Sequence, residues 1–205
     1  MDSPYVHTGI DHFLPRVPQQ CFTVWEGMDP PPVDYFLLVY KGAAPRMVAE
    51  LEGGETVFGL GHFAGMRIGP AGIALLAGMY RGITALAASG VNVIVDDVLH
   101  DQRVLHAAVD ALSDLPVLFV GLYLPLEVAE QRERERGDRG PGGAAAFYDL
   151  VHTHAVYDLE LDTSRLSPEQ CAAHIKEVLH NNQPRHAFHR LRAAFAAREP
   201  SDLLW

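Results

Sequence analysis

Cysteine, lysine and long apolar runs are all scarce in this chain of 205 residues. Its two cysteines, Cys21 and Cys171, form neither a Cys-x-x-Cys pair nor a spaced framework, which excludes a disulfide-stapled fold and a cysteine-based zinc site. This usage favours a reducing cytoplasm. The longest uncharged stretches, 68–80 and 82–95, are shorter than the roughly 18 residues that a membrane span needs, and residues 1–5 begin no secretory signal. We therefore expect a soluble, cytoplasmic protein.

Positive charge is also scarce, since 16 lysines and arginines face 26 aspartates and glutamates, for a net charge of −10. The field of such a chain repels polyanions and anionic lipids, so we expect neither a nucleic acid nor a membrane as its partner. The length predicts one large domain, or one domain with an appendage. A chain of this size buries roughly 70% of its unfolded surface, so its core needs no metal or disulfide.

The apolar pattern predicts alternating strands and helices. Strand-like runs cover 5–10, 91–95, 117–123 and 157–161. Helix-like runs cover 71–89, which Gly90 caps, 104–112, 126–136, and a segment that begins at Ser167-Pro168-Glu169-Gln170. Because the runs at 91–95 and 117–123 are apolar without alternation, both faces of these strands should be covered, as in a parallel sheet between helix layers. The predicted fold class is α/β, a doubly wound and mostly parallel sheet with its site at the carboxyl ends of the strands.

Two parts of the chain are less regular. Five prolines within 15–34 argue against long regular structure there. The β-rich runs at 33–41 and 55–60 predict a small hairpin-like insertion on the substrate side. Near the end, 184–199 carries arginines and an apolar face, which predicts a basic amphipathic C-terminal helix packed on the domain. We therefore divide the chain into an α/β domain over 1–180 and this helix.

Asp11 is the first candidate for catalysis. It lies in Gly9-Ile10-Asp11-His12-Phe13, directly after the first predicted strand, where a carboxylate can face a cleft. A carboxylate in that position can orient a substrate hydroxyl and accept its proton during attack. An aspartate that only caps the following turn is the alternative, and residue statistics alone favour it.

Asp96 and Asp97 follow Val93-Ile94-Val95 in a Walker B pattern, a run of apolar residues that ends in an acid. This pattern places a carboxylate where it can hold Mg²⁺ directly or through water. Two adjacent carboxylates repel each other, and they need a cation or strong hydrogen-bond donors nearby. We therefore predict a functional role, as a metal ligand, for at least one of them.

Arg132 and Arg136 lie one helical turn apart, and Arg139 follows in a glycine-rich turn. The like-charged pair costs ~0.2–0.5 kcal/mol unless an anion lies between the two side chains. Three guanidinium groups near one another suit a phosphate clamp, because each binds phosphate oxygens in a planar fork. A solvated helix with pairs such as Glu130–Arg134 is the alternative, but it leaves Arg139 unexplained.

Two further motifs carry less weight. His152 and His154 are spaced like metal ligands on a strand, but no third ligand lies at a matching interval, so a zinc hydrolase is a distant alternative. Residues 59–64, Gly-Leu-Gly-His-Phe-Ala, fit a dinucleotide-binding fingerprint by letter. They lack the acid about 20 positions later and a following helix, so we discard that fingerprint.

Four segments together closely resemble the chloramphenicol phosphotransferase family: 9–13, 93–98, 132–139 with its Arg-Gly-Asp-Arg, and 157–164. Their order and approximate spacing match over about residues 4–178. That family is similar to P-loop kinases and transfers the γ-phosphate of ATP to a hydroxyl of a small molecule. The resemblance therefore implies a sheet of P-loop kinase type, with ATP and Mg²⁺ as cofactors.

The resemblance also implies residue roles. Asp11 is expected to be the catalytic base. A lid over about 132–147 is expected to clamp the ATP phosphates through Arg132, Arg136 and Arg139. The loop around Thr163 is expected to form a wall of the adenine pocket. Mg²⁺ is expected beside Asp96 and Asp97.

One part of the family pattern is missing from this sequence. Family members begin with a strand, a glycine-rich Walker A loop that ends in Gly-Lys-Ser, and a helix, whereas this chain contains no Gly-Lys dipeptide. In the 2-3-1-4-5 strand order of such kinases, that first, central strand lies between the strands predicted at 91–95 and 117–123. We expect that the start of the chain lies downstream of the true start, or that the gene is truncated. Without the amide cradle for the β-phosphate, we expect little or no kinase activity from residues 1–205.

A non-catalytic module that binds a small molecule in a kinase-derived fold is the main alternative. Such a module would bind its ligand equally well with and without Mg·ATP. Neither the acceptor molecule nor the oligomeric state follows from the sequence.

Overall fold

The computed structural model describes residues 5–26, 30–41, 62–137, 140–153 and 156–197. The described strands are β1 (Tyr5–Gly9), β2 (Phe22–Glu26), β3 (Phe36–Lys41), β4 (His62–Ile68), β5 (Asn92–Asp96), β6 (Val120–Tyr123) and β7 (Leu159–Asp162). The described helices are α1 (Ile10–Phe13), α2 (Pro70–Ala88), α3 (Gln102–Leu112), α4 (Leu126–Arg136), α5 (Gly143–Phe147), α6 (Pro168–His180) and α7 (Ala187–Ala196). Two 3₁₀ turns, Leu14–Arg16 and Gln19–Cys21, connect α1 to β2. The mixed α/β class predicted from the sequence is confirmed.

The described strands pair in three separate groups. β1 pairs in parallel with β5, and β6 pairs in parallel with β7. β3 lies between β2 and β4, parallel to β2 and antiparallel to β4. The predicted parallel pairing is therefore present, but the strands that the structure describes form three sheets instead of one doubly wound sheet.

Strands β5 and β6 each leave one face exposed. Val93 and Val95 of β5 pack against the core, whereas Ile94 on the opposite face is 51% exposed. Phe119, just before β6, also packs against the core, and Leu122, which faces the other way, is 51% exposed. The expectation that both faces of these strands are covered is therefore wrong within the described residues. Faces of a sheet are covered by packed helices, and the described helices leave the faces that carry Ile94 and Leu122 exposed.

The hydrophobic core lies where helices α2, α3 and α7 pack together. Its helical side chains are spaced three or four residues apart and include Leu76, Tyr80 and Ile83 of α2, Leu105, Val109 and Leu112 of α3, and Phe188, Leu191 and Phe195 of α7. Asp158 fixes the start of α7, because its Oδ1 accepts hydrogen bonds from the backbone N–H groups of His186 at 2.7 Å and Ala187 at 2.9 Å. The apolar face of α7 therefore packs on the domain through α3.

Helix α2 is long and apolar enough to cross a membrane when it is judged by length and composition alone. It joins the two uncharged stretches of the sequence across Arg81. Its side chains Leu76, Met79, Tyr80 and Ile83 are buried in the core. Core helices of globular proteins pass the same test, so the length and composition of α2 are weak evidence for a membrane span.

Local signals at three helix ends are confirmed. Gly90 follows α2 with φ of 87°, and Gly137 follows α4 with φ of 64°, the left-handed region that glycine adopts most readily. Helix α6 begins with a capping box, in which the Ser167 hydroxyl accepts from the Gln170 N–H and the Gln170 side chain accepts from the Ser167 N–H. These ends were predictable because each depends on neighbouring residues alone.

The insertion between β1 and α2 differs most from expectation. Strand β2 lies inside the proline-rich segment 15–34, because the prolines flank the strand and do not interrupt it. Strand β3 pairs with β4 over His62–Ile68, so the insertion is a three-stranded sheet and not a simple hairpin. The strand expected at 55–60 lies outside the described residues.

Candidate active site

The carboxyl end of the β1–β5 pair carries three acidic side chains. Gly9 pairs with Asp96 in register, and a Cβ added at Gly9 would lie 2.0 Å from the Asp96 carbonyl oxygen. Only glycine lets the two backbones approach this closely. Asp11 follows in α1 and is exposed, and Asp97 follows Asp96 in the loop after β5. All three predicted acids thus lie at one end of one strand pair.

Asp97 receives protein donors at both carboxylate oxygens. The backbone N–H of Ile10 donates to Oδ1 at 2.5 Å, and the hydroxyl of Tyr80 donates to Oδ2 at 2.7 Å. Burial raises the pKa of Asp97, the two hydrogen bonds oppose that rise, and the charges of Asp96 and Asp11 add to it. Burial also raises the pKa of Tyr80 well above its usual range. These donors partly offset the cost of burying one of two adjacent carboxylates.

Asp96 has a more open environment than Asp97. Its side chain is 80% exposed, and His7 Nε2 lies 3.8 Å from its Oδ2. The rings of His7 and His12 meet edge to face, with centroids 4.8 Å apart. No ligand-spacing motif marks these two histidines in the sequence, so their position beside the acids could not be predicted.

Arg132 of α4 reaches the loop after β7. Its guanidinium group donates to the Thr163 carbonyl oxygen at 2.6 Å and to the Thr163 hydroxyl at 3.2 Å. The N–H and hydroxyl of Thr163 donate in turn to the Tyr123 carbonyl oxygen at 2.8 Å and 3.2 Å. Arg132 and Thr163, two predicted site residues, are therefore in direct contact. Arg136 is exposed in the last turn of α4, and Arg139 lies outside the described residues.

Glu133, the next residue of α4, holds the turn before α5. Its Oε2 accepts from the Gly142 N–H at 2.9 Å, and its Oε1 accepts from the Ala144 N–H at 3.0 Å. From the sequence, Glu133 looks like a solvated partner of the surrounding arginines. Its true partners are backbone amides, which every residue except proline carries, so residue types give no signal for this contact.

Helix α5 packs between β4 and the loop after β5. The Phe63 N–H donates to the Pro141 carbonyl oxygen at 2.9 Å. The Phe147 ring centroid lies 5.4 Å from that of Phe63 and 4.5 Å from that of His100. Burial lowers the pKa of His100, which lies shortly after Asp97. A continuous set of contacts through α5 therefore connects the arginine-bearing helix α4 with the loop that follows the acids.

One protein family, described as chloramphenicol phosphotransferase-like protein, matches this sequence over residues 1–180. The chain belongs to the chloramphenicol phosphotransferase-like family. The resemblance predicted from the four motifs is thereby confirmed. The match includes every predicted site residue from Asp11 to Thr163, and α7 lies beyond it.

Two curated relatives of this family member come from Mycobacterium tuberculosis, strains CDC 1551 and H37Rv, and both carry provisional names as O-phosphotransferases. Each is 36% identical to this chain over 116 residues, which is 57% of this chain and 52% of the relative. The match thus spans about half the length of the curated relatives.

His152 takes part in an aromatic cluster and not in a strand. It lies in a turn, with Nδ1 2.8 Å from the Tyr157 hydroxyl and its ring stacked on Tyr123 at 4.0 Å. Burial lowers the pKa of His152 and raises the pKa of Tyr157 to about 12. His154 lies outside the described residues. Within the described ranges there is no group of three or more side chains that could hold a metal, so the zinc alternative gains no support.

Proposed function

We propose that this chain carries the acceptor side and the lid of an ATP-dependent O-phosphotransferase that acts on a hydroxyl of a small molecule. Family membership and the names of the two relatives support this reaction class. The observation that carries the proposal is the connection through α5 between two sets of residues. One set is the acids at the carboxyl end of β1 and β5, and the other is the arginines of α4.

Asp11 is the proposed base. In the proposed step the acceptor oxygen attacks the γ-phosphorus of ATP, and the bond from that phosphorus to the β–γ bridging oxygen breaks. ADP leaves, and the hydroxyl proton passes to the Asp11 carboxylate. The exposed position of Asp11 beyond a strand end supports this role, because an acceptor molecule can reach it.

Arg132, Arg136 and Arg139 form the proposed phosphate clamp. Guanidinium groups stabilise the charge on a transferring phosphoryl group and bind its oxygens in pairs. The two hydrogen bonds from Arg132 to Thr163 support a position of this arginine on the nucleotide side. Thr163 is accordingly the proposed wall of the adenine pocket.

Mg²⁺, when it arrives with ATP, is assigned to Asp96. Proteins usually bind this ion through one or two carboxylates together with substrate phosphates, where it neutralises phosphate charge. The 80% exposed carboxylate of Asp96 fits that arrangement. Asp97 is less suited to be a metal ligand, because Ile10 and Tyr80 already occupy its oxygens. We assign to Asp97 the anchoring of the turn that carries Asp11.

The sequence lacks the glycine-rich loop ending in Gly-Lys with which P-loop kinases hold the β-phosphate. It contains no Gly-Lys dipeptide, whereas the P-loop of such kinases uses a lysine and backbone amides for this purpose. The exposure of Ile94 and Leu122, each 51%, supports the packing of a further element on β5 and β6. We propose that a strand–loop–helix unit, a strand and a helix joined by a GxxxxGK[ST] loop, sits between these two strands in an active enzyme.

The test compares two proteins. One is residues 1–205 alone, and the other carries a strand–loop–helix unit from a family member joined to the chain ahead of Tyr5. Transfer of the γ-phosphoryl group from radiolabelled ATP is measured with chloramphenicol and a panel of other small alcohols. We expect transfer by the fusion and none above background by residues 1–205. Robust transfer by residues 1–205 alone would contradict the need for the unit.

Calorimetry with the same alcohols separates this proposal from a non-catalytic binding module. If the fusion is a phosphotransferase, we expect its affinity for the acceptor to differ between solutions with and without Mg·ATP. Equal binding under both conditions, with no transfer by the fusion, would support the binding module.

A further inference from the structure

Glu133 is a lid residue for which the proposed reaction supplies no role. We propose that Glu133 is a positioning residue that fixes the arginine helix α4 in its clamping position before any ligand binds, by holding the lid turn at Gly142 and Ala144. This inference rests on the proposed function, because it concerns the phosphate clamp of the same site. Three sets of contacts support it.

The first set joins α4 to α5. Both oxygens of the Glu133 carboxylate accept hydrogen bonds, at 2.9 Å from the Gly142 N–H and at 3.0 Å from the Ala144 N–H. Amides at the start of a helix have no acceptor within the helix, so a side chain or water must satisfy them. Hydrogen bonds to an ionised carboxylate are among the stronger ones in proteins. Glu133 is therefore the direct link between the helix and the turn.

The second set fixes that turn against β4. Gly142 has φ of 112°, and a Cβ added there would lie 2.2 Å from the Phe63 carbonyl oxygen and 3.0 Å from His62 Nε2. The Pro141 carbonyl oxygen accepts from the Phe63 N–H at 2.9 Å. The turn thus lies backbone to backbone on β4 and gives Glu133 an anchored partner.

The third set holds the other side of α4. Arg132 donates to the carbonyl oxygen and the hydroxyl of Thr163, in the loop after β7. Successive residues of an α-helix point about 100° apart, so Arg132 and Glu133 bind neighbours in two directions. Rotation or tilting of α4 would break at least one of these contacts. Arg136 follows Arg132 by one turn on the same face, so the same restraint fixes the backbone that carries Arg136.

Hydrogen exchange on the 205-residue chain tests the contact itself. In Glu133→Ala we expect exchange at the Gly142 and Ala144 amides to be at least about tenfold faster, because both lose their acceptor. In Glu133→Gln, which keeps the shape and one acceptor oxygen, we expect only one of the two amides to lose protection. Glu135→Gln is the matched control, since Glu135 lies on the same helix and accepts from Gln131 at the surface. Unchanged exchange at both amides in Glu133→Ala would overturn the proposal.

Pyrophosphate binding tests the positioning role. The probe is titrated against the same variants in the protein fused to the strand–loop–helix unit, while NMR follows the guanidinium Nε–H signals of Arg132 and Arg136. Removal of a negative charge alone strengthens the binding of an anion, and Glu135→Gln reports that effect. We expect Glu133→Gln to bind pyrophosphate at least about fivefold more weakly than Glu135→Gln, because the arginines lose their fixed orientation.

The outcomes separate the two proposals. Suppose that the wild-type fusion binds pyrophosphate and that Glu133→Gln binds it as tightly as Glu135→Gln does, or more tightly. That result would overturn the positioning role and leave the clamp intact. If pyrophosphate does not shift the arginine signals of the wild-type fusion at any concentration, the clamp and the role that depends on it are both wrong. The exchange experiment then still decides whether Glu133 holds the turn.

Discussion

The hydroxyl of Tyr80 donates a 2.7 Å hydrogen bond to Asp97 and ties the core helix α2 to the loop after β5. Tyr80 is only 1% exposed. The other oxygen of the same carboxylate accepts from the N–H of Ile10, the residue before Asp11. The Asp97 carboxylate therefore helps to anchor the turn that carries the proposed base, beside the buried side chain of Ile10.

Tyr80→Phe tests this anchor. The change removes a buried hydrogen bond to the Asp97 carboxyl group, so we expect the free energy of unfolding to fall by about 1–3 kcal/mol. Urea unfolding measures this difference. Tyr5→Phe is the control, because Tyr5 is 52% exposed and its hydroxyl is replaceable by water. An effect of Tyr80→Phe no larger than that of the control would show that the hydrogen bond does not stabilise the fold.

Gly142→Ala tests the backbone packing of the lid turn on β4. A methyl group there would collide with the Phe63 carbonyl oxygen at a φ of 112°, so we expect a loss of at least about 1–3 kcal/mol in the free energy of unfolding. Gly78→Ala is the matched control, because a Cβ at Gly78 of α2 meets nothing within 4 Å. Alanine in that helix should instead stabilise the chain by about 0.5–1 kcal/mol. Equal changes in the free energy of unfolding for the two substitutions would contradict the close packing of the lid turn on β4.

Helices could be predicted from the sequence more completely than sheets. The ends of α2, α4 and α6 depend on Gly90, Gly137 and Ser167, which act on residues within one turn. The three-stranded sheet depends on pairing between β3 and β4, whose order and register no local pattern encodes. The unbroken apolar runs of β5 and β6 predict two covered faces, and the described residues cover only one of them.

In the candidate site, too, local features could be predicted from the sequence and contacts between distant elements could not. Residue type and position after a strand were enough to predict Asp11, Asp96 and Asp97 as candidates at strand ends, and the pairing of β1 with β5 brings them together. The different surroundings of Asp96 and Asp97 could not be predicted, because Tyr80 reaches Asp97 only through the packing of α2. The contact of Glu133 with two backbone amides has no sequence signal at all.

His152 should make stability depend on pH. Burial lowers its pKa below 6.5 in the folded chain, so the unfolded chain takes up the proton more readily. The stability contributed by neutral His152 is therefore complete above about pH 6.5 and is lost as the pH falls through the lowered folded pKa. We expect His152→Gln to flatten the decline in the free energy of unfolding between about pH 7.5 and pH 5. His174→Gln, an exposed position on α6, is the control, and an unchanged slope in His152→Gln would contradict this account.

The exposed face of β5 should make residues 1–205 associate. Exposed apolar side chains promote contacts between chains, and they do so most beside a strand edge such as the one that the described residues leave unpaired on β5. We expect Ile94→Lys to bind less of a dye that reports exposed apolar surface. We also expect it to lower the apparent mass measured by light scattering. Leu86→Lys, at a side chain of α2 that is 44% exposed, controls for the added charge. Equal effects of the two lysines would show that β5 is not the associating surface.

Phosphoryl transfer by Asp11→Asn tests the central claim most directly. It is measured with radiolabelled ATP in the protein fused to the strand–loop–helix unit, beside Asp110→Asn on the exposed side of α3 as the control. We expect the rate of transfer to fall at least about 100-fold in Asp11→Asn and to stay within about twofold in the control, because only Asp11 accepts the proton of the attacking hydroxyl. Equal transfer rates in the two variants would contradict the assignment of these residues as a phosphotransferase site.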